Sequence, residues 1–285
     1  METRRHFLGE AIGTFVIVFF GCGSVAVTVL FGAHAGLFQV AMVWGIAVAL
    51  AIYMTRHLSC AHLNPAVSIA MVIGRRMSAG HLPVYLAGQI VGALVATIVV
   101  YALFSSSIEQ FETMHAITRG APNSVQTAMM FGEFYPNPGA GAAASVGAST
   151  AFLAEAIGTF VLVLVIFSLT EGCNVGRPDV SIVPLFIGLT ITVLISIIAP
   201  LTQAGFNPAR DLVPRLFAMA AGWGMAALPD AGWGFLTIYV LGPIVGGACA
   251  ALAFTHLVEP VMASPAPGTS SAERCCGGDE KAGAR

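Results

Sequence analysis

The sequence predicts an all-α membrane protein: six transmembrane helices plus two re-entrant half-helices, arranged as an inverted repeat. Three observations lead there. Hydrophobic residues make up 57% of the 285 and charged residues only 9%, where a soluble domain of this length carries roughly a quarter charged. Six stretches are apolar over the roughly 20 residues a bilayer crossing needs. The chain also repeats itself. "FLGEAIGTFV" at 7–16 returns as "FLAEAIGTFV" at 152–161 with nine of ten positions identical, and "HLNPAVS" at 62–68 is answered by "GFNPARD" at 205–211.

The six spans read as 7–30, 38–56, 82–104, 150–170, 180–200 and 233–257. Arg4 and Arg5 before the first span resemble the start of a signal peptide. However, the apolar stretch is long, contains Glu10 and lacks a clear cleavage site, so it reads as an uncleaved first helix. Six crossings return both termini to one side. Arg4, Arg5, Arg56, Arg75, Arg76, Arg177, Arg274, Lys281 and Arg285 then share that side, and this excess marks the cytoplasm. Arg119, Arg210 and Arg215 fall on or near the other side. The connection 105–149, with Glu109, Glu112 and Glu133, is expected outside. Residues 1–259 form one membrane domain with halves at about 5–104 and 150–257, while the polar segment 260–285 reads as a disordered cytoplasmic tail.

Composition excludes several classes. A net charge of −2 argues against a nucleic-acid partner. Cys22, Cys60, Cys173, Cys249, Cys275 and Cys276 show no zinc-ligand spacing with histidine, and no metal or cofactor is expected. Most of these thiols read as small packing residues. Cys275 and Cys276, in the tail, are either inert or open to acylation. The pairs Gly9/Gly13, Gly88/Gly92 and Gly242/Gly246 have the spacing of close helix contacts in membranes.

The two Asn-Pro-Ala triplets, Asn64-Pro65-Ala66 and Asn207-Pro208-Ala209, sit between spans and precede apolar runs at 65–74 and 208–221 that are too short to cross. Asparagine is a strong N-cap and proline is favoured at the first helical position, so each triplet should open a half-helix. Glu10 to Glu155 is 145 residues and Asn64 to Asn207 is 143, so the two copies share one register. Three spans per half force the second copy to enter from the opposite face. Two capped N-termini then meet at mid-membrane, with amide donors and roughly half a positive charge each. The residues before each cap, Cys60, Ala61 and His62 and then Gln203, Ala204 and Gly205, cannot be helical. Their carbonyls are tolerated at that depth only when buried or lining a wet path. Donors facing a row of acceptors make a track for water or polyols.

With "GEAIGTF", "AHLNPAVS", "AEAIGTF", "FNPARD" and "LGPIVGG", about residues 5–259 resemble the major intrinsic protein family of aquaporins and aquaglyceroporins. "VWGIAVALAIYMT", "FETMHAITRG", "YPNP" and "FAMAAGWG" are most similar to the bacterial glycerol facilitators. The resemblance implies the aquaporin fold and a homotetramer in the cell membrane. Each subunit would carry one pore passing glycerol, water and other small neutral solutes. It implies that Glu10 and Glu155 accept hydrogen bonds from the re-entrant loops, and that Trp44, Ile195, Ala204 and Arg210 form the narrowest constriction. Arg210, a permanent charge with a fork of donors, would bind hydroxyls and repel cations. Glycerol facilitators usually carry glycine at the Ile195 position and an aromatic residue at the Ala204 position. The quartet here instead resembles that of the plant nodulin-26-like channels, which pass water, glycerol and neutral metalloid hydroxides. A water-selective channel and a closed-pore adhesion or scaffold protein remain as alternatives. An intramembrane enzyme on Cys60, His62 or Glu155 lacks a nucleophile–base–orienter set. His62 reads as a packing residue, and Cys60 as a thiol near the pore.

Overall fold

A computed structural model describes residues 1–143, 145–229, 232 and 234–263. Among these, six helices are long and apolar enough to cross a membrane. We number the helices α1 Glu2–Phe31, α2 Leu37–Ser59, α3 Pro65–Ile73, α4 Leu82–Met114, α5 Ala148–Thr170, α6 Val183–Thr202, α7 Pro208–Ala218 and α8 Leu236–Met262. Helices α3 and α7 are the two half-helices. The segment beyond residue 263, with Cys275 and Cys276, lies outside the described residues.

Two elements exceed their expected length by the most. Helix α1 starts five residues early. Helix α4 continues ten residues past 104, because Ile108 is fully buried and Glu112 is nearly so. The connection that follows is therefore shorter than 105–149; its described residues carry a single helical turn, Val125–Ala128, and two 3₁₀ turns. Helix α8 contains widened turns at Leu236–Leu241 and Phe254–Val258. Pro243 and Pro260 follow them within two residues. Each proline removes an N–H that a regular ladder needs, and a local widening accommodates the loss.

Glycine sets the packing distances. Helix α1 lies on α2 and α4, and α5 lies on α6 and α8. A Cβ on Gly92 would stand 2.2 Å from the carbonyl oxygen of Ala11, and one on Gly246 would stand 2.0 Å from that of Ala156. The same glycine-on-carbonyl contact thus occurs once in each half, at equivalent places. The halves join where α2 crosses α6: Cβ atoms on Gly45 and Gly188 would each meet the other's carbonyl, at 2.5 and 2.3 Å. Helix α3 packs against α8 of the other half and α7 against α4, so each half-helix is held by the opposite repeat. Outward residues such as Phe20, Leu50, Ile98, Leu103, Leu153, Val193, Ile197 and Leu252 are exposed, as an apolar solvent requires.

Candidate functional site

Both re-entrant segments leave a transmembrane helix through strained backbone. Cys60, Ala61 and Leu63 have φ of 62°, 54° and 56°, and Gln203, Ala204 and Phe206 have 60°, 65° and 51°. Left-handed conformation in non-glycine residues costs on the order of 1–3 kcal/mol each, so other contacts must hold it. A buried carboxylate does so in each half. Glu10 Oε1 accepts from Ser59 Oγ at 2.7 Å and the His62 N–H at 3.0 Å. Its Oε2 accepts from the Leu63 N–H at 2.7 Å and Gln89 Nε2 at 2.6 Å. Glu155 Oε1 accepts from Thr202 Oγ1 at 2.6 Å and the Gly205 N–H at 3.0 Å, and its Oε2 from the Phe206 N–H at 2.7 Å. Tyr85 donates to the Ser59 carbonyl, and Tyr239 to that of Thr202 at 3.1 Å.

The two caps are built alike. Asn64 Oδ1 accepts the Ala66 N–H at 2.9 Å. Asn207 Oδ1 accepts those of Ala209 and Arg210 at 3.1 and 3.3 Å. With the oxygen so committed, each NH2 group crosses over. Asn64 Nδ2 donates to the Phe206 carbonyl and Asn207 Nδ2 to the Leu63 carbonyl, both at 2.8 Å. One of the two amide hydrogens is therefore spent on locking the opposite loop. The sequence pointed each NH2 group away from its own helix; the structure shows one hydrogen of each committed to the opposite loop.

A cavity of about 1260 Å³ runs past these residues. Its walls include Asn64, Asn207, Cys60, Ala61, His62, Ala204 and Gly205. Among the described residues, no donor reaches the carbonyls of Ala61, His62, Ala204 or Gly205. Gln203 departs from its expected place. It does not line the cavity, and its side chain instead ties down the connection between α4 and α5, accepting the Phe134 N–H at 2.9 Å and donating to the Met129 carbonyl at 3.3 Å. The His62 ring sits 3.3 Å from Ser68 Oγ and against Tyr85.

Trp44, Ile195, Ala204 and Arg210 all line this cavity, and none of its described wall residues comes from the connection after α4. The Trp44 ring lies directly on Gly21, where a Cβ would be 2.1 Å away. Arg210 places its guanidinium carbon 4.3 Å from the centre of that ring and donates to the Phe131 carbonyl at 3.3 Å. It also forms an ion pair with Glu133, both side chains at most 5% exposed. Sequence reasoning placed Glu133 only as an acid in the outer connection; nothing in its spacing linked it to Arg210, 77 positions later. Its presence changes the expected electrostatics, because the Arg210 charge is compensated rather than bare.

A second buried pair holds that acid in place. Asp211 Oδ1 accepts the Glu133 N–H at 2.7 Å, and Arg215 bonds Asp211 at 2.6 and 3.0 Å, the Ala227 carbonyl at 2.7 Å and the Glu133 carbonyl. Four buried charges thus cancel, and the α4–α5 connection is pinned to α7. In the same connection, Arg119 forks onto Glu112 and lies over Trp223, whose Nε1 donates to Thr127 at 2.9 Å.

Residues 1–254 match the family model described as "Major intrinsic protein". The glycerol uptake facilitator protein of Pseudomonas aeruginosa is 39% identical over 91% of each chain. That of Escherichia coli strain K12 is 37% identical over 88% of this chain and 87% of its own. The propanediol uptake facilitator PduF of Salmonella typhimurium is 34% identical, covering 87% and 92%. Among solved structures, the aquaglyceroporin from Plasmodium falciparum superposes with a TM-score of 0.77 at 26% identity, covering 91% of this chain and 98% of that one. With a repeat of this geometry and matches spanning nearly its whole length, the chain belongs to the major intrinsic protein family.

Proposed function

We propose that the protein is a passive channel for glycerol and other small neutral solutes, with water, and that it excludes ions and protons. The observation that carries this reading is the crossed pair of asparagine amides in the wall of a cavity that also exposes unpaired loop carbonyls. Donors and acceptors fixed in one passage replace the hydration of a hydroxylated molecule. An ion receives no such replacement, and two helix N-termini oppose a cation. The relatives named as glycerol and propanediol facilitators support polyols over water alone. The Trp44 face supplies an apolar wall for a carbon backbone, with Arg210 beside it for hydroxyls.

Ile195 and Ala204 shape the rest of the constriction, and this quartet supports passage of metalloid hydroxides as well. We infer that the arginine-rich side, with both termini, faces the cytoplasm of a multi-pass cell-membrane protein, and that subunits assemble as homotetramers, each with its own pore. Stopped-flow light scattering on reconstituted vesicles tests the reading with glycerol, water, urea and arsenous acid under one gradient. Glycerol flux well above empty vesicles is expected. Flux of water alone would replace the polyol reading with a water-selective one, and no flux at all would favour the closed-pore scaffold.

A further inference from the structure

At the opposite mouth of the cavity, three metal-ligating side chains converge that the channel reading does not use. Glu2 and His6 stand one turn apart on α1 and so share a face. His81 closes the short turn Ala79–His81 that leads into α4. One ligand atom from each lies within 4.8 Å of the other two. Nε2 of His6 and Nε2 of His81 are each 3.9 Å from Glu2 Oε1, and the two imidazole centres are 4.9 Å apart. All three residues line the cavity.

We propose that Glu2, His6 and His81 form a binding site for a divalent ion of the zinc class at this mouth. Two imidazoles and one carboxylate suit borderline first-row ions; calcium and magnesium prefer oxygen ligands throughout. Zinc bonds to nitrogen and oxygen at about 2.0–2.2 Å, which sets tetrahedral ligand atoms about 3.3 Å apart. From 3.9 Å, each contact to Glu2 closes by about half an ångström. Glu2 is the free arm, with its side chain 72% exposed, whereas the His6 side chain is 15% exposed and packs on Tyr85, centres 5.3 Å apart. Tyr85 is itself anchored on the Ser59 carbonyl. The neighbouring cation, Arg5, is bound to the His57 carbonyl at 2.7 Å. Three protein ligands leave the fourth position for water, an open site of the kind that exchanges its ion. A bound ion ties the start of α1 to the start of α4 beside the path of entering solute. Tyr85 also touches the His62 ring, 4.7 Å between centres, so the site is packed against the first re-entrant loop.

The test is zinc binding to tag-free purified protein, measured with a competing chromophoric chelator, and it does not depend on which solute permeates. Wild type is expected to bind one zinc per chain with micromolar affinity. His81→Ala and Glu2→Gln, both on exposed side chains, should each weaken binding at least tenfold while eluting as wild type in gel filtration. Cys60→Ser should bind as wild type. Calcium chloride at equal concentration should not compete. Equal zinc affinity in wild type and His81→Ala, or loss of binding in Cys60→Ser instead, would overturn the assignment.

Discussion

Glu133 and Arg210 form a buried ion pair in which Arg210 belongs to the cavity wall. Removing one partner of a buried ion pair costs about 3–5 kcal/mol, while replacing both with apolar residues is often neutral. Glu133→Gln should therefore lower thermal stability by several degrees and release Arg210 from the Trp44 face, shifting the glycerol-to-water permeability ratio severalfold. Glu133→Leu/Arg210→Leu should be more stable than Glu133→Gln. Thermal unfolding by intrinsic fluorescence, with stopped-flow on the same samples, checks both. The paired acids of the loops allow a finer comparison. Both Glu10 oxygens accept two donors, but Glu155 Oε2 accepts only one. A glutamine amide nitrogen cannot accept, and each unsatisfied buried donor costs about 1–3 kcal/mol. Glu10→Gln should destabilise more than Glu155→Gln, by about the cost of one donor; equal losses in melting temperature would contradict the assigned contacts.

Among the elements, the helix contacts are set by what glycine omits. Gly92 on α4 faces the Ala11 carbonyl at a distance no Cβ tolerates, whereas a Cβ on Gly23 of α1 meets nothing within 4 Å. Gly23→Ala should be neutral or raise stability by up to about 1 kcal/mol through helix propensity. Gly92→Ala must push α4 from α1 and should sharply reduce the yield of folded protein in detergent. Comparable folded yields for the two variants would show that close packing at Gly92 does not matter. The half-helices follow a similar logic of position. Each is nine to eleven residues long, too short to stand alone in water, and each is held by the opposite repeat and by its own asparagine cap.

At the scale of the whole molecule, the crossed asparagines make the two halves interdependent, since each loop supplies the carbonyl the other's cap requires. Cys60 lines the cavity, with Trp44 and Arg210 also in its walls. Cys22 is buried, and Cys249 lies on α8 outside the cavity walls. A membrane-permeant thiol reagent should reduce solute flux at least severalfold in wild type and leave Cys60→Ser unaffected. Unchanged flux after complete Cys60 modification, verified by mass spectrometry, would remove this residue from the path.

Much of this was legible before any coordinates. Six apolar spans, two capped triplets and one register shared by Glu10/Glu155 and Asn64/Asn207 are one-dimensional patterns, and local physics converts them directly into helices, caps and an inverted repeat. Ser59 and Thr202 were readable too, five residues before each asparagine. Tyr85 and Tyr239 share the 154-residue offset of Gly92 and Gly246, so their pairing also lay in the sequence. Tertiary structure alone decided what distant, unrepeated residues do: that Glu133 neutralises Arg210, that Gln203 turns to the α4–α5 connection, and that His81 meets Glu2 and His6. The physical reason is that periodicity and capping act between residues a few positions apart. Ion pairing and carbonyl bracing act through space, and packing of whole helices sets which groups share that space.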